Sequence, residues 1–240
     1  MTDTIREQII ANFVTKLADI RTANGYNSEA GQLVKRVRKN FDPDDIPAIG
    51  VWPLSEEAGR AYGGSENIMP MKIIALKEFG TTNPSDVAEE LLGDLIECVL
   101  GIEWTLPFTS GGTYEVEVGD TVEGVTDGAE GYVIAVDVSS GTWAGGDAEG
   151  TLTLHRVTGT FNISEDLRVG VDSNVAETDG ATTGESGITT TTDDLANDIE
   201  YVEGGVDEYP EENEIVVGVF ATFNVKYRTL TGDPYNQPAT

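Results

Sequence analysis

The chain has 240 residues, about one and a half times the usual ~150 of a single domain, so length alone leaves one domain with a large insertion and two tandem domains equally open. Its 43 acidic side chains against 14 basic ones give a net charge of −29, while 39% hydrophobic residues can still build a core. That balance marks an acidic globular chain and argues against capture of DNA or of an anionic membrane, both of which need clustered Lys and Arg.

A helix is predicted over 5–23, because Ile5, Ile9, Phe13, Leu17 and Ile20 recur on one face. Thr4 and Glu7 form a capping box, and Gly25 offers a left-handed residue after the last turn. Three strands are predicted next, at 32–41, 46–52 and 71–79. They are separated by the turn Asp42-Pro43-Asp44-Asp45 and by a Gly-rich loop over 54–70. Asn83-Pro84 caps a second helix that runs to Leu100, with Val87, Leu91, Leu95 and Val99 on its apolar face.

Proline and lysine then mark a change of character. None of the 9 prolines and no lysine falls within residues 109–192, which hold 15 of the 28 glycines and set only Arg156 and Arg168 against 15 acids, a net charge of −13. This stretch is predicted to be an inserted domain, 109–192, within a discontinuous domain of residues 1–108 plus 193–240. Inside it, short alternating runs at 114–118, 131–138, 151–155 and 160–163 predict a small all-β barrel or sandwich, and 179–192 is predicted as a flexible return linker.

Two final strands are predicted at 198–202 and 214–230, joined by a turn-rich stretch over 203–213. Fully extended, the last would span roughly 55 Å. Either Gly218 bends it, or its end pairs with a neighbouring subunit. The fold class expected is therefore α+β: a small mixed sheet with two helices, in αβββα-ββ order, carrying the inserted β domain.

The search for chemistry is mostly negative. The chain has no phosphate-cradling glycine motif and no nucleophile elbow. The single Cys98 sits on the apolar face of the second helix and reads as core. His155, the only histidine, is predicted to be exposed on its strand and not a general base. Asp42, Asp44 and Asp45 lack the spacing of a calcium loop, and the acidic run 208–214 reads as solvated. No metal, cofactor or enzymatic activity is expected. The opening residues lack a basic region followed by an apolar run, so no secretory signal is expected, and no apolar run approaches the ~18 residues that a membrane span needs.

Several segments of the flanks carry a family likeness: Thr4-Ile-Arg-Glu, Phe41-Asp-Pro-Asp-Asp-Ile-Pro-Ala-Ile, Asn83-Pro-Ser, Glu90-Leu-Leu-Gly-Asp-Leu and Phe223-Asn-Val-Lys-Tyr-Arg-Thr-Leu-Thr-Gly-Asp-Pro-Tyr. Together they resemble the tail terminator proteins of tailed bacteriophages, over residues 1 to about 104 and 193–240. The resemblance implies a small α/β fold assembled as a hexameric ring on the last ring of the tail tube, in contact with the tail tube protein and the head–tail connector. It implies a virion protein of the tail or neck, made in a host bacterial cytoplasm, with no cofactor. DNA would pass through the ring without specific binding, which an acidic channel favours. The insertion is similar to small β modules of phage virion proteins through Gly124-Val-Thr-Asp-Gly-Ala-Glu-Gly-Tyr-Val and Gly159-Thr-Phe.

Ring formation is expected to involve Tyr227, Arg228, Pro234 and Tyr235, with the polar tail after Leu230 adding more to assembly than to subunit folding. An alternative is a neck or tail protein whose inserted domain binds a glycan or protein. Trp143, flanked by glycines, is the candidate exposed platform there, whereas Tyr132 and Phe161 read as core.

Overall fold

The computed structural model describes residues 3–37, 41–112, 114–208 and 215–238. Within them the chain forms two compact units, Met1–Thr22, Tyr26–Leu100 and Gly187–Thr240 in one, Ala23–Gly25 and Gly101–Ser186 in the other. The fold is α+β, with one sheet in each unit and three α-helices.

The first unit opens on α1, Ile5–Leu17, where Thr4 Oγ1 accepts from the Glu7 amide, one half of the predicted capping box, while the Glu7 carboxylate accepts from Arg36. The helix stops at Leu17 and not at 23. The amides of Ala18 and Asp19 turn to carbonyls three residues back, and the tightened last turn releases the chain. Ile20 stays fully buried outside the helix. Five segments follow: β1 Val34–Arg36, β2 Ala48–Pro53, β3 Glu57–Ala61, β4 Gly64–Glu78 and α2 Pro84–Leu100.

Where a loop was expected over 54–70, β3 and the first part of β4 form a hairpin closed by Tyr62 and Gly63, the latter at φ 77°. Such a two-residue turn needs positive φ and therefore favours glycine. After the second unit come α3 Gly187–Thr192, β12 Asp198–Glu208 and β13 Val216–Thr229. Residues 38–40 and 209–214, which include most of the acidic run 208–214 and parts of two predicted strands, lie outside the described residues.

The strand order is β1-β2-β4-β13-β12, with β3 also on β4; β1 runs parallel to β2, and the other pairings are antiparallel. The observed element order is thus αββββα and then αββ around the second unit. One face of this sheet, made by Met69, Met71, Ile73 and Ala75 of β4 with Val217 to Tyr227 of β13, is buried under α1 and α2. The period-two pattern of β13 places Val219, Ala221, Phe223 and Val225 on that face, all fully buried. The length of β13 needs neither a bend at Gly218 nor a neighbouring subunit. It pairs without a break along β4 from Val216↔Glu78 to Thr229↔Ser65, and the bulges fall in β12 instead.

The second unit holds a seven-stranded sheet in the order β10-β9-β6-β7-β8-β5-β11. Its strands are β5 Glu103–Gly111, β6 Thr121–Gly124, β7 Glu130–Ser140, β8 Ala148–Thr158, β9 Asp166–Val169, β10 Asp172–Thr178 and β11 Thr183–Glu185. β5 belongs here because it pairs with β8, β10 and β11, so the unit begins near Gly101 and not at 109.

β10 meets β5 over two residue pairs, and this short contact does not make a closed barrel. Its core is Leu106, Phe108, Val133, Leu152, Leu154, Leu167 and their neighbours. The predicted runs at 114–118 and 160–163 are not strands. Asp120 draws the first into a turn by accepting from the Glu117 amide, and Asn162 and Ser164 hold the second in a loop. The predicted linker 179–192 contains β11 and α3, and Thr191 Oγ1 of α3 donates to the Val99 carbonyl.

Candidate functional site

Chemistry-bearing side chains of the first unit gather in two places, at the two ends of the long ribbon that β4 makes with β13. At the Gly64 end, Tyr227 is buried, and its hydroxyl donates to Glu56 Oε2 at 2.5 Å. Arg6 of α1 donates its Nε to the same oxygen at 3.2 Å and a terminal nitrogen to the Leu54 carbonyl at 3.1 Å. Burial, and then the Glu56 carboxylate as acceptor, push the Tyr227 hydroxyl well above the ordinary phenol range. Arg228, on the opposite face of β13, donates to the Tyr62 carbonyl at 2.9 Å and so holds the hairpin tip.

The chain after β13 folds back onto the same unit. Leu230 and Asn236 close a loop, Asp233 accepts from the Tyr235 amide and from Asn236, and Gln237 donates to the Leu195 carbonyl at 2.6 Å. The Pro234 carbonyl accepts from the Ile5 amide at 2.9 Å, satisfying one of the four amides that α1 leaves open at its start. Of the four residues expected at a subunit interface, Tyr227 is therefore core and Arg228 is half-buried and engaged. Pro234 and Tyr235 remain exposed, on a segment fastened to its own subunit.

At the Glu78 end a cavity of about 360 Å³ opens between Gln32, Ile46, Pro47 and Lys77, with Glu29 and Glu78 beside it. Its inner wall is fixed by Asp94 of α2, a fully buried carboxylate. Asp94 Oδ1 accepts from the Asn27 amide and side chain at 2.9 Å each, and Oδ2 accepts from Ser28 Oγ at 2.6 Å. Burial raises the Asp94 pKa above the usual carboxylate range, and the Ser28 and Asn27 bonds oppose that rise. Lys77 Nζ donates to the Asn27 carbonyl at 3.3 Å and lies 3.9 Å from Glu90.

No family model and no curated protein matches the chain. Among the described residues no group of three or more His, Cys, Asp or Glu side chains is placed to hold a metal ion, and no helix is long and apolar enough to cross a membrane. Cys98 is buried and donates to the Lys16 carbonyl at 3.3 Å.

Two expectations for the second unit are overturned. Trp143 is 8% exposed and stacks on Phe108, ring centres 5.1 Å apart and planes 13° off parallel, so it is core and not a platform. A short helical turn, Trp143–Gly145, capped by Thr142 Oγ1, folds the indole inward. His155 is also buried, with Nε2 3.5 Å from Glu103 Oε1. Strict alternation fails there because Arg156 takes φ 51° and the register of β8 on β7 shifts.

Neither the Asp94 clamp nor the Tyr62 tip was singled out in the sequence. A lone acid in the helix sequence Leu-Leu-Gly-Asp-Leu, four residues from Glu90, gives no sign that its partners lie some sixty-six residues upstream. A tyrosine followed by two glycines is a usable turn signal, however.

Proposed function

We propose that the first unit is the building block of a ring that ends a phage tail tube and joins it to the head–tail connector, a structural role and not an enzymatic one. The observation that carries this reading is the β4–β13 ribbon, continuous from Val216↔Glu78 to Thr229↔Ser65. At the Gly64 end it runs past β12, which reaches only Lys226 on β13, while along β4 the strand β2 and then β3 flank it. A stiff ribbon that presents different groups at its two ends suits a subunit repeated head to tail around an axis.

The number of copies, six, follows the likeness of the flanking segments to tail terminators. The partners are then further copies of this chain, the tail tube protein and the connector, in the virion. A net charge of −29 per copy would keep a DNA conduit from holding the strand it passes. The second unit, read as a sandwich-like module with its own core, would be carried as a decoration.

Mass photometry of the purified protein, with electron microscopy of tail tubes grown in its presence, tests the reading. Six-copy particles seated on tube ends are expected. A chain that stays monomeric at every concentration and leaves tube length unaltered overturns it.

A further inference from the structure

We propose that neighbouring copies of this chain join by inserting the β3–β4 hairpin tip of one, with Tyr62 as the knob, into the cavity beside Pro47 of the next. This inference rests on the ring reading and specifies its contact.

Tyr62 is 101% exposed, an arrangement that leaves a large ring wholly in water. The tip is nevertheless firmly held. Arg228 bonds the Tyr62 carbonyl, and Gly64 lies so close to β13 that a Cβ there would meet the Thr229 carbonyl oxygen at 2.4 Å. With the backbone of the tip held, docking has to order only the tyrosine side chain itself, which is how aromatic anchor residues of interfaces work.

The cavity has the matching form. Ile46 and Pro47 give it apolar walls, and about 360 Å³ is ample for a phenol ring. Arg60, exposed two residues before Tyr62, brings a cation to the tip; of the charged groups lining the cavity, Glu29 is paired with Arg21 and Lys77 with Glu90, which leaves Glu78 as the acidic partner.

Knob and hole cannot meet within one copy. They lie at opposite ends of β4, whose 15 residues extend for roughly 45 Å. Contact between unlike patches at two ends of a subunit is heterologous, and it closes into a ring when the rotation per copy divides the circle.

Disulfide trapping tests the contact with Tyr62→Cys and Gln32→Cys in one chain, Gln32 being exposed at the cavity and Cys98 buried. The double variant should give a covalent ladder up to the full ring, and each single variant should give none. Tyr62→Ala should cut the assembled fraction roughly tenfold or more while its melting curve stays that of wild type. Arg60→Glu and Glu78→Arg should each weaken assembly, and their combination should restore it. Rings that persist in Tyr62→Ala, or that form in the double variant without a ladder, overturn the knob while leaving the ring intact. A ladder that stops at two copies keeps the contact and overturns the ring. Wild-type monomers with no ladder overturn both.

Discussion

The Tyr227 hydroxyl donates to Glu56 Oε2 at 2.5 Å, and Arg6 reaches the same oxygen from α1. A helix, a loop and the longest-paired strand are thereby tied at one carboxylate. A residue expected to face another subunit instead closes the core of its own.

Replacing Tyr227 by Phe should cost about 1.5–3 kcal/mol in urea unfolding, the usual worth of a hydrogen bond to a charged acceptor. It should leave the β-sheet spectrum unchanged. The alkaline response follows from the raised hydroxyl pKa. Folding favours the protonated phenol, so its stabilisation is whole below about pH 10 and declines as pH climbs from there toward the raised folded value. Wild type should therefore lose stability between about pH 10 and 11 faster than Tyr227→Phe. Parallel curves would refute the assignment.

Removing residues 231–240 should now weaken folding of the subunit itself, contrary to the expectation from the polar tail sequence. Truncation strips the Pro234 carbonyl from the Ile5 amide and Gln237 from Leu195. The bonds of Leu230 with Asn236 and Asp233 go as well, and four lost hydrogen bonds at about 0.5–1.5 kcal/mol each predict a drop of roughly 2–6 kcal/mol. Hydrogen exchange at the Ile5 amide should accelerate most. Unchanged protection there would show that the tail does not cap α1.

The buried Asp94 carboxylate should titrate above the ordinary ~3.9 of an aspartate, as read by carboxyl carbon NMR. A raised folded pKa means that the protonated form is the favoured one in the fold. Its stabilisation is full below ~3.9 and is lost as pH rises through the folded value. Ser28→Ala removes an opposing hydrogen bond and should raise the midpoint further, at a cost of about 1 kcal/mol near neutral pH. A midpoint at or below ~3.9 in wild type would contradict the burial argument.

Legibility in the sequence followed the strength of local signals. The second helix could be read to its ends because Asn83-Pro84 starts it and Val87, Leu91, Leu95 and Val99 keep helical spacing. Strand β13 was equally plain, since an apolar residue that the fold buries stands at every second position from Val217 to Tyr227. Strand β3, Glu-Ala-Gly-Arg-Ala, has neither β-branched residues nor alternation, and it is a strand because β4 pairs with it. The Thr-rich α3 is held by the Thr191 bond to Val99, a tertiary contact with no local mark. The Asp94 clamp depends on partners far along the chain, and no spacing rule reaches that far.

Trp143 shows how glycine can mislead in the other direction. Its glycine neighbours suggest an open loop, yet glycine at 111 is required by the indole itself, because a Cβ there would lie 2.5 Å from a Trp143 ring carbon. Gly111→Ala should therefore destabilise the second unit, and Trp143→Ala should cost about 3–5 kcal/mol, as for other buried aromatics replaced by alanine. Differential scanning calorimetry should record the loss in a transition that also responds to Phe108→Ala, since those two rings stack. If Trp143→Ala left both calorimetric transitions in place and instead abolished binding to a glycan array, the indole would have to be exposed in solution, and the packing of this core would be wrong.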